Sequence, residues 1–221
     1  MDFNDYIRHD DFDFENLRKD MDKLWKKQGL KDFYLRRHYQ DMMTKEQQDR
    51  MIWKAMQTKN NKKFLKYINT GLILDKDAFA ESNDSNPNDY IPSLLNQAII
   101  LQDTVRIGML LSAGAPVTIE AECPFIDALY YTLATENPSI LAMILAYTDK
   151  PISKHWAFGA LQSFYANGSE TAILMGQLIG FKLAQQGVDL DKYMTESRDY
   201  YVERIKRAES IIQEEKTQQA R

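Results

Sequence analysis

The sequence contains a single cysteine, Cys123, among its 221 residues. One thiol excludes a disulfide within the chain and any zinc site built from several thiolates. Proline and glycine are also scarce, at six and nine residues, which favours long regular elements over a loop-rich architecture. No apolar run approaches the roughly 18 residues that a membrane span requires, so we expect no transmembrane segment.

Charge of one sign is not in large excess, because 28 basic residues stand against 32 acidic residues for a net charge of -4. This balance disfavours nucleic acid as the principal partner. The start of the chain, MDFNDYIRHDDFDFEN, is acidic where a signal peptide would be basic and then apolar. We therefore expect a cytoplasmic protein, in the producing cell or in a host cell if a specialised apparatus secretes it.

Apolar residues recur at helical spacing through most of the chain, and few stretches favour strands. The pattern predicts two helices between residues 14 and 43, with a break near Gly29. Thr44 and Gln47 have the spacing of a capping box, which predicts that another helix begins there. Residues 75–90 concentrate Asp, Asn and Ser and predict a long surface loop. The expected fold class is all-α.

The stretch LLSAGAPVT, residues 110–118, predicts a helix that ends on a left-handed glycine, Gly114. Ala98 lies sixteen residues before that glycine, and Ala55 lies sixteen residues before Gly71. With apolar residues at the packing positions between them, this spacing resembles the ankyrin repeat. An ankyrin unit of about 33 residues holds a short helix, a turn, a second helix and an outward finger.

The resemblance is to degenerate repeats. The family's Thr-Pro-Leu-His opening is replaced by SLLN at 93–96 and by RMIW at 50–53, so the hydrogen bonds that normally tie neighbouring units are missing. A third copy has Thr148 where glycine is expected, and a fourth keeps LAQQGVDLD at 183–191 after an overlong helix. Helical hairpins of another solenoid type are the alternative.

The resemblance implies an ankyrin-like stack of helix-turn-helix repeats with helical N- and C-terminal caps. We assign residues 1–43 to the N-terminal cap, 44–191 to about four repeat units with a loop insertion at 75–90, and 192–221 to the C-terminal cap. Such a stack exposes a continuous concave face. The implied function is a non-catalytic protein-protein interaction module, compatible with a bacterial effector or a viral host-interaction factor.

Candidate partner-binding residues flank the predicted fingers and first helices, where aromatic side chains favour binding. They are Tyr90, Asn96, Gln97, Tyr130, Tyr131, Trp156 and Tyr165. Phe164 belongs to the same region, and for Phe164 and Trp156 a place in the core is the preferred interpretation.

Few residues suit catalysis or metal binding. RHDD at 8–11 has only His38 and His155 as further histidines, so we predict no metal site. Cys123 with His155 lacks a third catalytic group, and no glycine-rich loop has the spacing of a phosphate site. We predict no enzymatic activity and no cofactor.

Two charged clusters stand out. Six carboxylates within the first fifteen residues either steer a basic partner or belong to a disordered terminus. The acidic surface leads to a second hypothesis, an immunity or inhibitor protein that neutralises a partner enzyme by occluding its basic active site. Neither the partner's identity nor the oligomeric state follows from the sequence. The basic cluster predicts a solvated helix face and comprises Lys59, Lys62, Lys63 and Lys66.

Overall fold

The computed structural model describes residues 6–8, 11–32, 34–36, 38, 42–71, 93–117, 128–192, 195, 202–203 and 206–207. The chain begins with a short antiparallel ladder in which β1 (Ile7–Arg8) pairs with β2 (Asp11–Phe12). Helix α1 (Phe14–Lys27) follows at once, and the Asp13 carboxylate caps it by accepting a hydrogen bond from the Asn16 backbone N–H at 3.0 Å.

Helices α2 (Lys45–Gln57) and α3 (Asn61–Ile68) form the first helical hairpin. The predicted capping box at Thr44 and Gln47 is confirmed, since each residue's side chain accepts a hydrogen bond from the backbone N–H of the other. Asn60 caps α3 through its side chain alone, because Asn60 Oδ1 accepts from the backbone N–H groups of Lys62 and Lys63.

Three further hairpins follow. They pair α4 (Leu94–Ile100) with α5 (Thr104–Ser112), α6 (Ala128–Ala134) with α7 (Pro138–Ala146), and α8 (Lys154–Asn167) with α9 (Glu170–Gln185). Apart from the two-residue strands, all regular elements in the described part of the chain are helices, so the all-α prediction is confirmed. The predicted loop at 75–90 and most of the predicted C-terminal cap lie outside the described residues.

The LLSAGAPVT stretch begins inside α5 and contains the residues that end this helix. Gly114 adopts a φ of 86°, in the left-handed region where a Cβ would be strained, which confirms the prediction for this residue. The Ala115 N–H bonds to the Leu110 carbonyl and the Gly114 N–H to the Leu111 carbonyl, both at 2.9 Å. This pair of bonds is a Schellman motif, and it turns the chain sharply away from the helix.

The turns inside the last three hairpins share a local conformation. In each, a residue with positive φ is followed by a residue whose side chain caps the second helix. Two of these turns are also bonded to each other, because Asn137 Nδ2 donates to Gln102 Oε1 at 3.2 Å. The pairs are Gln102 with Asp103, Glu136 with Asn137, and Gly168 with Ser169.

The second helices of the four hairpins contact one another in chain order: α3 contacts α5, α5 contacts α7, and α7 contacts α9. We call these four helices the second-helix row. The first helices α4 and α6 also contact each other. Helix α7 is buried almost all round, with Ile140, Leu141 and Ile144 at 0% exposure, because it has neighbours on several sides.

Helix α1 lies against the second-helix row, where it contacts α5 and α7. Its apolar side is buried through Leu17 at 0% exposure and Met21 at 2%. A glycine in α5 allows this close approach, since a Cβ at Gly108 would lie 2.8 Å from Trp25 Nε1. The contacts observed for this part of residues 1–43 are therefore along the row, and the division into caps and repeat units stays a prediction.

A polar cluster reinforces the α1 interface. The Tyr147 hydroxyl donates to Asp22 Oδ1 at 2.5 Å and lies 2.9 Å from Ser112 Oγ. Arg18 lies over the Tyr147 ring, 5.0 Å from its centroid, and bonds to Asp149 Oδ1 at 2.8 Å. Side chains from α1, α5 and the segment after α7 are thereby held together.

The acidic N-terminus is not a disordered tail over its described residues. Phe12 and Phe14 are 1% and 3% exposed, with ring centroids 4.7 Å apart, and β2 contacts α9. Gln185 Nε2 donates to Asp11 Oδ1 at 2.9 Å, so one of the carboxylates joins the ladder to α9. Of the two alternatives, a disordered terminus is thus not what these residues show, and the burial of Phe12 and Phe14 accounts for their order.

Candidate functional site

A groove of about 310 Å³ opens between α6, α8 and the start of α9. Its walls combine apolar side chains with a few small polar groups, which is the usual composition of a recognition site. We call this feature the groove. Its lining consists of Tyr130, Leu133, Ala134, Glu136, Ala160, Ser163, Phe164, Asn167, Ser169, Thr171, Ala172 and Met175.

Small residues make the groove. Ala134, Ala160 and Ala172 lie on three different helices and line it together with the exposed Ser163. Alanine and serine side chains leave space where leucine or phenylalanine would fill the gap between helices. Larger walls are supplied by Phe164, which is only 9% exposed. The space between the three helices therefore stays open.

Tyr130 stands at the groove with 52% of its surface exposed. Its ring meets that of Tyr131 edge to face, with centroids 5.8 Å apart and an interplanar angle of 74°. Tyr131 is half-buried and packs against the core. The buried tyrosine thus supports the exposed one, which presents an apolar ring and a hydroxyl to the surroundings.

The structure gives the other predicted contact residues different positions. Asn96 is 2% exposed and lies among the core residues of α4, while Gln97 beside it is half-buried. Trp156 is half-buried and packs against the core. Tyr90 and the side chain of Tyr165 lie outside the described residues. As partner contacts, all of these residues stay predictions.

Of the sequence-predicted contact residues, Tyr130 lines the groove, whereas Asn96, Gln97, Tyr131 and Trp156 are not among its described lining residues. Phe164, for which the core was the preferred interpretation, is 9% exposed and also lines it. The groove adds residues that sequence reasoning missed. Leu133 follows Tyr130 by three positions on α6, and Ser163 follows Ala160 by three positions on α8. This i, i+3 spacing places each pair on one helix face. The spacing is the sequence signal that could have identified Leu133 and Ser163 as lining residues.

The charges around the groove are acidic. Glu136 lines it, and the exposed Glu170 lies in the first turn of α9 between two lining residues. The described lining residues include no lysine or arginine. The carboxylates of Glu136 and Glu170 give the groove a local negative charge.

The clearest pKa shifts lie away from the groove, on the α1 side. Burial and the hydrogen bond to Asp22 raise the pKa of Tyr147 well above its usual range. Burial lowers the pKa of Lys182, whose ammonium lies 5.3 Å from the centroid of the Phe14 ring. These groups serve the packing of the N-terminal segment, since each contacts a residue of α1.

No cluster of three or more His, Cys, Asp or Glu side chains within the described ranges is arranged to hold a metal ion. None of the helices in the described part of the chain has both the length and the apolarity needed to cross a membrane.

The chain matches no protein-family model, no curated protein and no solved structure.

Proposed function

We propose that this protein is a non-catalytic protein-protein interaction module that binds its partner at the groove. The observation that carries the proposal is Tyr130, a half-exposed tyrosine at the mouth of an apolar cleft. Exposed aromatic rings beside apolar clefts are typical of residues that dominate binding energy. The groove provides a receptacle for a partner side chain, and Tyr130 provides a contact beside it.

The order of helix contacts supports an ankyrin-like arrangement. The hairpins follow one another, their second helices contact in sequence, and the first helices α4 and α6 do the same. Left-handed glycines end α3, α5 and α9 at Gly71, Gly114 and Gly187. In such a stack the first helices and the loops beside them form the binding face. The groove belongs to that face through α6 and α8.

The position of α1 also favours partner binding at the face formed by the first helices. Helix α1 covers α5 and α7, and β2 covers part of α9, so much of the second-helix row is already occupied by the chain itself. The buried residues Phe12, Leu17 and Met21 make that cover part of the core. Tyr130 on α6, in contrast, is 52% exposed.

Charge favours a partner with a basic surface. The groove is lined by Glu136, and Glu170 lies beside it in the first turn of α9. The same observation supports the second candidate function, an immunity or inhibitor protein that occludes the basic active site of a partner enzyme. A bacterial effector or a viral host-interaction factor is compatible with either mode of binding.

Affinity purification with mass spectrometry, followed by reconstitution from purified components, tests the proposal. A pair of matched variants on α8 isolates the groove: Ser163→Trp fills it, whereas Gln162→Trp places the same side chain on an exposed position outside the lining. We expect Ser163→Trp and Tyr130→Ala each to weaken a 1:1 complex at least about tenfold, as for loss of a hot-spot contact.

Gln162→Trp should retain wild-type affinity. Equal affinities for Ser163→Trp and Gln162→Trp would show that the groove is not the binding site. If the purified partner is an enzyme, its activity in the complex separates the two candidate functions, because abolished activity supports the inhibitor and retained activity supports the interaction module.

A further inference from the structure

Helix α3 carries Lys62, Lys63 and Lys66 on its exposed side, and Lys59 lies just before Asn60, the N-cap residue of the helix. We call these four residues the lysine stripe. The spacing of one and three residues places Lys62, Lys63 and Lys66 on one side of the helix. All four are exposed, and the opposite side is anchored in the core by Phe64 at 2% exposure and Ile68 at 1%. The buried side therefore fixes the lysines toward the outside.

The surroundings of the lysine stripe share its charge. Residues 44–71 contain seven basic and two acidic residues, although the chain as a whole has a net charge of -4. Arg50 and Lys54 on the neighbouring α2 are also exposed. Over the ranges that the structure describes, no ion pair joins a lysine of the stripe to a carboxylate. The α2–α3 hairpin is thus a positive region on a negative protein.

Two exposed apolar side chains follow the segment of chain that contacts the end of α3. Asn69, at the end of α3, donates through Nδ2 to the Gly29 carbonyl at 2.9 Å and accepts through Oδ1 from the Lys31 N–H at 2.8 Å. This contact holds the chain after α1 against the end of α3. Shortly beyond it, Tyr34 is 84% exposed and Leu35 is 54% exposed. Tyr34 and Leu35 lie three and four residues after Lys31, so the contact of Lys31 with Asn69 keeps their segment close to the end of α3.

We propose that the lysine stripe, with Tyr34 and Leu35, binds the surface of an anionic phospholipid membrane. The ammonium groups would contact headgroup phosphates and carboxylates, while the tyrosine and leucine enter the interface between headgroups and acyl chains. This inference is independent of the groove, because α3 is the first helix of the second-helix row and the groove adjoins α9, the last.

A membrane is favoured over other anionic partners by the residue types. The stripe consists of lysines without arginine. Lysine is a point charge suited to a diffuse anionic surface, whereas arginine's planar fork is favoured for recognising individual phosphates or carboxylates in nucleic acids and peptides. Leu35 also gains more from acyl chains than from nucleotides, which stack on aromatic rings.

Vesicle co-sedimentation of the full-length protein tests this proposal. Phosphatidylcholine vesicles containing phosphatidylserine should bind the protein, binding should fall as salt rises, and pure phosphatidylcholine vesicles should bind weakly. The triple variant Lys62→Glu/Lys63→Glu/Lys66→Glu should lose at least about a hundredfold in partition coefficient, from about fivefold for each lysine removed, and the three added carboxylates should be repelled by the membrane as well. Leu35→Ser should lose binding through the apolar contribution alone.

A matched control has the same net charge but an intact lysine stripe: Lys23→Glu/Lys150→Glu/Lys192→Glu, at three exposed positions elsewhere. Circular dichroism establishes that each variant is folded. Equal losses in the two triple variants would overturn the proposal, since total charge would then explain binding. Failure of the wild-type protein to bind phosphatidylserine vesicles would overturn it too, as would stripe-dependent binding to RNA or to an acidic protein without vesicle binding.

Discussion

Truncation of Leu17 measures how firmly α1 belongs to the rest of the protein. Leu17 is 0% exposed and lies in the core that α1 shares with α5 and α7. Removing a buried leucine side chain forfeits its transfer free energy of about 1.5–3 kcal/mol and leaves a cavity, for a total of about 2–5 kcal/mol. We therefore expect Leu17→Ala to lower the free energy of unfolding by about 3 kcal/mol.

Leu24→Ala is the matched control. Leu24 occupies the same helix, so the change in helix propensity is the same, but its side chain is 39% exposed. We expect that variant to lose less than about 1 kcal/mol, because little of its apolar surface is removed from water. Urea denaturation followed by circular dichroism gives both values, and the melting temperature of Leu17→Ala should fall by about 6–12 °C.

Equal destabilisation by the two substitutions would refute the packing of α1 on the second-helix row. A separate early transition in the wild-type protein would refute it as well, because α1 would then unfold independently of the helices that it covers. A single transition with an unchanged m-value is the expected result.

Two further substitutions probe the same interface. Gly108→Ala should be at least about 1 kcal/mol less stable than Gly159→Ala in urea denaturation, because a Cβ at Gly108 would lie 2.8 Å from Trp25 Nε1 whereas Gly159 has open space and gains helix propensity. Tyr147→Phe should cost about 1.5–3 kcal/mol at neutral pH, since it removes the hydrogen bond to Asp22. The pKa of Tyr147 is raised in the folded protein, so this contribution is complete below the unfolded pKa of about 10 and is lost as the pH rises further. A wild-type advantage that grows above pH 10 in the same denaturation assay would contradict that assignment.

Local features of the fold could be predicted from local sequence. The capping box at Thr44 and Gln47 and the left-handed end at Gly114 depend on residues within one helical turn, so short patterns suffice to locate them. The place of α1 could not be predicted in this way. Its amphipathic pattern requires a partner for Leu17 and Met21, but it does not specify which helices supply that partner.

The groove was predictable only in part, for the same reason. Tyr130 stands out as an aromatic residue beside a second tyrosine, whereas the space in front of it exists because Ala160 and Ala172 are small. Those alanines lie on helices other than that of Tyr130, and no sequence spacing connects them. For Asn96 the residue type suggests the wrong environment. Asparagine is usually exposed, but Asn96 is 2% exposed because most side chains of α4 are buried.

The two proposed surfaces differ in charge and lie on different parts of the fold. Helix α1 occupies the second-helix row, which leaves the α6–α8 side for an incoming partner and the α2–α3 hairpin for contact with anions. A basic partner approaching the protein is repelled by the lysine stripe and attracted by the acidic residues near the groove. An anionic membrane is attracted by the lysine stripe and repelled by the acidic residues near the groove. Opposite charges on separate regions therefore allow both surfaces to be occupied at once, since neither ligand competes electrostatically for the other's site.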